Sequence, residues 1–414
     1  MIQLSRRDLI SGLAVATIGG LVACKPRRSA VLRFTVRTGI EATGLRIVAQ
    51  QFTRETGIAV EINELGRDGY MSTVPTQLIS GASDADVLLL PSTMIPELAV
   101  AGAVKDLAGI VDTRSPDLVA TYGYRGRTYA VPSDISSMFL FYRKDLVPKP
   151  PETWEELVEV AKRLTRSQSA SSPTRYGLAF SGAPGEDLPK TFYNLLWSCG
   201  GDIVRGGAVT LDSPEGIAAA TLFRSFVDAG ITPPDLTTWG FSQVYEALTN
   251  GTCAMVAPFW NATTTLLAEG KTELGSRIGY APIPTARRLD GSRGRVPFQH
   301  AWTLVLNARS GNVDNAAAFI RYVISLKGAK LYAEKGGGNP ALYSILNDPG
   351  LAAGRPDFAL LSQSLKLSRA EPAIPRYAAM HAVMNETLTK LLTGSLAPAA
   401  AMAEAASRLR PIIA

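Results

Sequence analysis

Two histidines, His300 and His381, and three cysteines, Cys24, Cys199 and Cys253, carry all the imidazole and thiol chemistry of this 414-residue chain. No Cys-x-x-Cys or His-x-x-x-His spacing joins them, which argues against a transition-metal site built on those ligands. The sequence contains neither a Gly-x-Ser-x-Gly elbow nor a phosphate loop, so those routes to catalysis have no foothold. Any Asp/Glu pair could form a glycosidase dyad, but nothing distinguishes one pair. No cofactor and no metal is expected.

Cys24 belongs to another chemistry. The chain opens Ser5-Arg6-Arg7-Asp8, continues uncharged from Leu9 to Ala23, and reaches Leu21-Val22-Ala23-Cys24. A paired-arginine head, a short apolar stretch and a small residue before the cut are the parts of an export signal. The stretch falls short of the ~20 residues that span a bilayer. Its ending resembles a bacterial lipobox, in which the cysteine thiol is alkylated by a diacylglycerol. The expectation is that residues 1–23 form a twin-arginine-type export signal. Cys24 then becomes the lipidated first mature residue, anchoring the protein on the periplasmic or extracellular side of a membrane. That compartment permits a Cys199–Cys253 disulfide. Folding before export, in a reducing cytosol, favours two buried free thiols.

The mature length suits two domains. Hydrophobic residues make up 46% and charged residues 19%, which is ordinary for a soluble globular chain. The basic residues are scattered, and the densest group, at 287–295, reads as a solvated loop, so no nucleic acid is expected. An alternating strand at 31–36 is followed by a loop at 38–44 and a helix at about 45–56 that Gly57 stops. A second strand at 58–65 and a helix at 70–80 lead to Asp86-Val87-Leu88-Leu89-Leu90. That short apolar run reads as a strand buried on both faces of a parallel sheet. Pro91-Ser92-Thr93 forms the loop at its carboxyl end, where open α/β sheets bind ligands. The alanine-rich tail 396–406 reads as a helix.

Several segments then carry a resemblance in order: FTRETGIAVEINEL, QLISGASDADVLLL, ELAVAGAVKDL, GRTYAVP, FLFYRKDLV, LLWSCGGDIV, ALTNGTCAMVAPFW, IGYAPIPT and FIRYVISLKGAKLYAE. Together they resemble family 1 extracellular solute-binding proteins, the capture subunits of ABC importers, many of them for sugars. The resemblance implies an α/β, two-lobed periplasmic-binding-protein-like fold with a ligand cleft between the lobes. It places the first crossing near 133–137, the second near 282–297 and the third near 336–343. Glycines 336–338 break the preceding helix and suggest local mobility. The implied division is 24–133 and 284–341 for the first lobe, with 134–283 and 342–414 for the second. The implied partners are a small-molecule solute, most often a carbohydrate, and ABC permease subunits, with the protein itself a monomer. A secreted lipid-anchored enzyme such as a glycoside hydrolase, or a binder of polyols or glycerol-phosphate derivatives, is the alternative.

Candidate ligand contacts follow from loops, strand ends and crossings. Glu41 lies after the first strand, against a helix-capping role. Ser92 and Thr93 lie past the third strand. The resemblance adds Asp134 at the first crossing, against a hinge cap, and Trp260 with Asn261 as a stacking platform and its neighbour. Trp197 lies on a helix beside Leu195 and Leu196 and fits core packing as readily as a ligand. His300 and Trp302, with Gln299, stand where sugar-binding relatives commonly carry a glycine pair, which points to a different ligand or a smaller pocket. Arg376 and Tyr377 fall in a late loop and helix that would face the cleft. An arginine there could serve a carboxylate or phosphate.

Overall fold

The computed structural model describes residues 31–270 and 274–413. The export segment and Cys24 therefore lie outside the described residues. Nine strands form one sheet: β1 (Leu32–Arg37), β2 (Val60–Leu65), β3 (Val87–Pro91), β4 (Tyr122–Tyr124), β5 (Arg127–Arg143), β6 (Tyr176–Ala179), β7 (Cys253–Trp260), β8 (Ile278–Pro282) and β9 (Gln299–Leu306). The main path runs β2-β1-β3-β9-β5-β7-β6, with β4 and β8 also pairing with β5. β1 pairs in parallel with β2 and β3, as strand–helix–strand connections require. All five residues of β3 are buried, matching its uninterrupted apolar run.

The helix after β1 begins at Ile40 rather than Leu45, so the expected loop at 38–44 shrinks to Thr38 and Gly39. The misleading residue is Gly44. It is not a turn glycine; it sits inside the helix because a Cβ there would lie 2.5 Å from the Tyr332 ring. Close helix approach, not backbone freedom, explains it. Gly57 and Gly81 do end their helices with φ of 73° and 81°.

β5 is the organising element. Its residues 130–137 pair with β9, while Met138–Tyr142 pair with β7 and residues from Phe139 onward also pair with β8. One continuous 17-residue strand thus serves both halves of the sheet. The chain passes back between β8 and β9 through a small hairpin, Ala286–Arg287 against Arg293–Gly294, where a plain loop was expected.

At the third passage, Gly336 ends the helix Leu326–Gly336 and Gly337 takes φ 70°. The segment is tied down, contrary to the expectation of local mobility. Arg355 donates to the carbonyls of Gly337 and Gly338 and to Asn339 Oδ1. Asp134 accepts from the Asn339 amide at 2.7 Å and from the Tyr332 hydroxyl at 2.9 Å. Residues 341 and 343 remain bonded to 119 and 117.

Cys199 and Cys253 are separate buried thiols, as the folding-before-export argument expects. Burial pushes them up to about 11 and about 12, which keeps them protonated and unreactive. Among the described residues no helix is long and apolar enough to cross a membrane.

Candidate functional site

The helix Asp187–Ser198 is buried along nearly its whole length. It presents Lys190, Tyr193 and Trp197 at spacings of three and four, hence on one face. The Trp197 ring lies parallel to Phe298 at 5.9 Å and stacks on Tyr193 at 5.6 Å. Trp260, the last residue of β7, meets Phe298 edge-on at 5.7 Å and His300 at 6.1 Å. His300 in turn meets Trp302 edge-on at 5.9 Å. Four sequence candidates, Trp197, Trp260, His300 and Trp302, therefore join one aromatic wall through Phe298. β9 supplies Phe298's neighbours because its outward positions alternate, which places His300 and Trp302 on one face.

Cations cover this wall. The Arg37 guanidinium lies 4.3 Å from the Trp302 ring centre, Arg369 lies 5.1 Å from Trp197, and Lys190 Nζ lies 5.8 Å from Trp260. Lys190 is 3% exposed and donates to Glu186 at 2.8 Å. Trp260 Nε1 donates to Asp187 Oδ1 at 2.8 Å. Burial works to lower the Lys190 ammonium, but Glu186, Glu371 and Asp187 together hold it above its usual range. His300 is pushed down to about 3, first by burial and then by Lys190, so its imidazole is neutral. Burial raises Glu371 to about 7 against the pull of Lys190. Tyr377 donates to Glu371 Oε1 at 2.9 Å and stacks on His381.

Beside this wall lies a cavity of about 280 Å³ whose polar lining is Ser92, Thr93, Thr121, Tyr122, Gln299 and Glu371. Gln299 Nε2 donates to the Tyr122 hydroxyl at 3.3 Å, and its Oε1 accepts from Ser368 at 2.6 Å. The loop after β3 supplies Ser92 and Thr93, and the segment before the helix Tyr377–Thr393 supplies Glu371. Segments far apart in the sequence thus converge at one cavity. Two other hollows, of 450 and 620 Å³, lie on the outer face of the helix Ile40–Thr56 and in the loops at 106–114. None of the three hollows has a ring of the aromatic wall in its lining; the first alone includes Gln299, between Phe298 and His300 in the chain.

The remaining candidates have other surroundings. Asp134 is buried, its Oδ2 engaged by Tyr332 and Asn339 at the crossing. Burial first and Glu41 second raise it to about 7. Glu41 lies 3.7 Å from Arg37 and provides no side-chain cap to its helix. Asn261 is fully buried. Its Oδ1 accepts from the Ser137 backbone N–H and its own backbone N–H donates to the Ser137 carbonyl, so it locks β7 to β5 and does not line the cavity. The guanidinium of Arg376, expected to face the cleft, donates to the Pro411 carbonyl of the last helix instead. Exposed and drawn to that helix end, it stands off the cavity.

Comparison with known proteins decides the family. The description "bacterial extracellular solute-binding protein" matches residues 38–330. The chain belongs to this family. A probable ABC transporter-binding protein of Deinococcus radiodurans is 25% identical over 372 residues, covering 86% of each chain. A galactooligosaccharide-binding protein of Bacillus subtilis is 22% identical, covering 98% of this chain and 96% of its own. The structure of maltose-bound T. maritima MalE3 superposes with a TM-score of 0.78 at 25% identity, covering 92% of this chain and 99% of that one. The solute-binding protein thus has the two-lobed α/β fold with an interlobe cleft.

Sequence reasoning about this solute-binding protein missed Lys190, Glu186, Asp187, Glu371 and Phe298. In Asp187–Ser198 the usual rule sends charged residues to the solvated face. The signal available was the sparsity of charge between Leu188 and Cys199, where Lys190 stands alone. An isolated lysine in an apolar helix is a candidate for a paired interior position.

Proposed function

We propose that the protein is a lipid-anchored capture subunit of an ABC importer, exported through its twin-arginine-type signal and tethered through Cys24 outside the cytoplasm. It takes a sugar or polyol of small size. The observation that carries this reading is a hydroxyl-, amide- and carboxylate-lined cavity built from 92–96, 120–123, Gln299 and 370–373, in a chain whose rings Trp197, Phe298, Trp260 and His300 gather at the neighbouring strand end. A volume near 280 Å³ lies at the lower end for ligand pockets and suits a monosaccharide-sized solute. The sugar ligands named for relatives support the class.

In this reading the first lobe comprises 24–133 and 284–341, and the second 134–283 and 342–414. The ligand touches both lobes, and contacts available only when they approach shift the population to the closed form. That form docks on a membrane permease as a monomer. The chain carries out no hydrolysis. The test is a thermal-shift screen of the mature protein against sugars and polyols, followed by small-angle scattering with each hit. A ligand at ~100 times its Kd should stabilise by about 2.7 kcal/mol, and the radius of gyration should fall. A hit that is chemically cleaved during incubation, or that leaves the radius unchanged, overturns capture by closure.

A further inference from the structure

The lining of the interlobe cavity is one-sided in charge. Glu371 is its only carboxylate, and apart from the six polar residues named above it is built of alanine, glycine and proline. No lysine, arginine or histidine lines it among the described residues. Glu371 uses Oε1 to accept from Tyr377. Its Oε2 is shielded from solvent and has no hydrogen-bond partner. The nearest lysine in the wall is already engaged: Lys190 donates to Glu186 at 2.8 Å and feels Glu371 and Asp187 as well. One ammonium thus stands among three carboxylates. The histidines of this wall add nothing, since burial holds both His300 and His381 below their ordinary value. The guanidiniums are committed elsewhere: Arg369 to Asp202 at 2.9 Å, and Arg376 to the Pro411 carbonyl.

We propose that the cavity selects an amine-bearing sugar or polyol of monosaccharide size, whose ammonium pairs with the Glu371 carboxylate, the one charged group in the lining, and that it rejects anionic solutes. The proposal rests on the capture reading above. A ligand hydroxyl would bring that carboxylate a hydrogen bond but no charge, leaving it only a share of Lys190 in a desolvated place, where a poorly compensated ion is costly. An ammonium supplies both the donor and the charge, and such charge-assisted bonds are about twice as strong as neutral ones. A phosphate or carboxylate would meet Glu371 with no basic side chain in the lining to offset it. Ser92, Thr93, Thr121 and Gln299 provide hydroxyl and amide groups for the rest of a polyhydroxylated ring, which is why the class is a sugar amine rather than a simple alkylamine. Burial raises Glu371 to about 7 even against the pull of Lys190, a cation it shares with Glu186 and Asp187.

The experiment is titration calorimetry at pH 7 with matched sets: glucose, galactose and mannose, their 2-amino and 6-amino counterparts, and their uronates. Wild type should bind at least one amino sugar about tenfold or more tighter than its hydroxyl counterpart and show no heat with any uronate. In Glu371→Gln, which keeps the size and the acceptor for Tyr377, the amino and hydroxyl members should bind within about twofold of each other. Equal or tighter binding of the neutral sugars by wild type, or binding of a uronate, overturns the amine preference and leaves sugar capture standing. A preference that survives in Glu371→Gln overturns the role of Glu371. If neither these compounds nor the wider sugar and polyol panel binds, the capture reading itself fails. Wild type alone decides the preference, so an unstable variant does not remove the test.

Discussion

Trp260→Phe isolates one interaction that both halves of the site share. The phenyl ring can still stand edge-on to Phe298 and His300, but it has no N–H for Asp187 to accept. Burial already holds Asp187 above its usual range, with Lys190 and the Trp260 N–H pulling the other way. Stripping a donor from a buried carboxylate costs about 1.5–3 kcal/mol when it is charged, but only about 0.5–1.5 kcal/mol as a neutral carboxyl. The loss of stability should therefore be about 1.5–3 kcal/mol while the carboxylate is charged, tested at pH 7.5, and should shrink by roughly half at about pH 2.5, well below the ordinary aspartate value, where the group is protonated in both states. Trp260→Ala also removes the edge contacts, worth about 0.5–1.5 kcal/mol beyond area, and part of an aromatic's burial energy of about 1.5–3 kcal/mol. Its total should reach about 3–6 kcal/mol. Urea unfolding followed by far-ultraviolet dichroism at the two pH values gives both numbers. A Trp260→Phe protein as stable as wild type at pH 7.5, or one whose deficit does not change with pH, refutes the argument. Affinity of the folded fraction for any screened sugar separates the platform role: a stacking ring lost to alanine weakens binding roughly 5- to 150-fold, a purely internal one leaves it unchanged.

Three further outcomes are expected. Burial raises Asp134 from 3.8 to about 7, so the folded state keeps a proton that the unfolded chain releases, and stability falls as pH rises from about 4 to about 7. Asp134→Asn removes that contribution, and its stability relative to wild type should climb across the same window; a flat difference would sink the assignment. Glu371 acts in the same direction and His300 in the opposite one, gaining stability between about pH 3 and 6.5, so the single-site difference is the quantity to measure. Gly336→Ala would place a Cβ 2.2 Å from the Cα of Gly44, and should destabilise by about 1–3 kcal/mol through forced separation of two helices; a urea midpoint equal to wild type would contradict the packing. Cys24→Ala should release the protein from the membrane fraction, and normal processing with retained membrane association would refute lipidation.

What the sequence made legible depended on local physics. β3 announced itself because a strand buried on both faces cannot carry polar residues, and Gly57 and Gly81 because a left-handed helix end selects glycine. Gly44 misled for the converse reason: its partner, Tyr332, is 288 positions away. The aromatic candidates could be named because large rings at strand ends have few places to go. Their assembly could not, since Phe298, which joins Trp197 to Trp260, reads as one more core residue. Glu371 was hidden by a loop whose direction only tertiary packing decides. The partner of Arg376 could not be read locally either, since the Pro411 carbonyl that receives its guanidinium lies at the end of the last helix.

The unbroken run of β5 through both halves of the sheet has a mechanical consequence. Two lobes joined by free linkers can reorient at little energetic cost. Here the lobes share a backbone ladder, so relative motion must appear as torsion along a hydrogen-bonded ribbon. Its register slips beside Trp302 and again between Phe139 and Phe141, on either side of the changeover from β9 to β7. Those irregularities are the compliant points of the ribbon, because bulges loosen the ladder and raise local twist. One of them lies next to the aromatic wall. The ladder is therefore loosest where it borders Trp302, one of the rings of that wall.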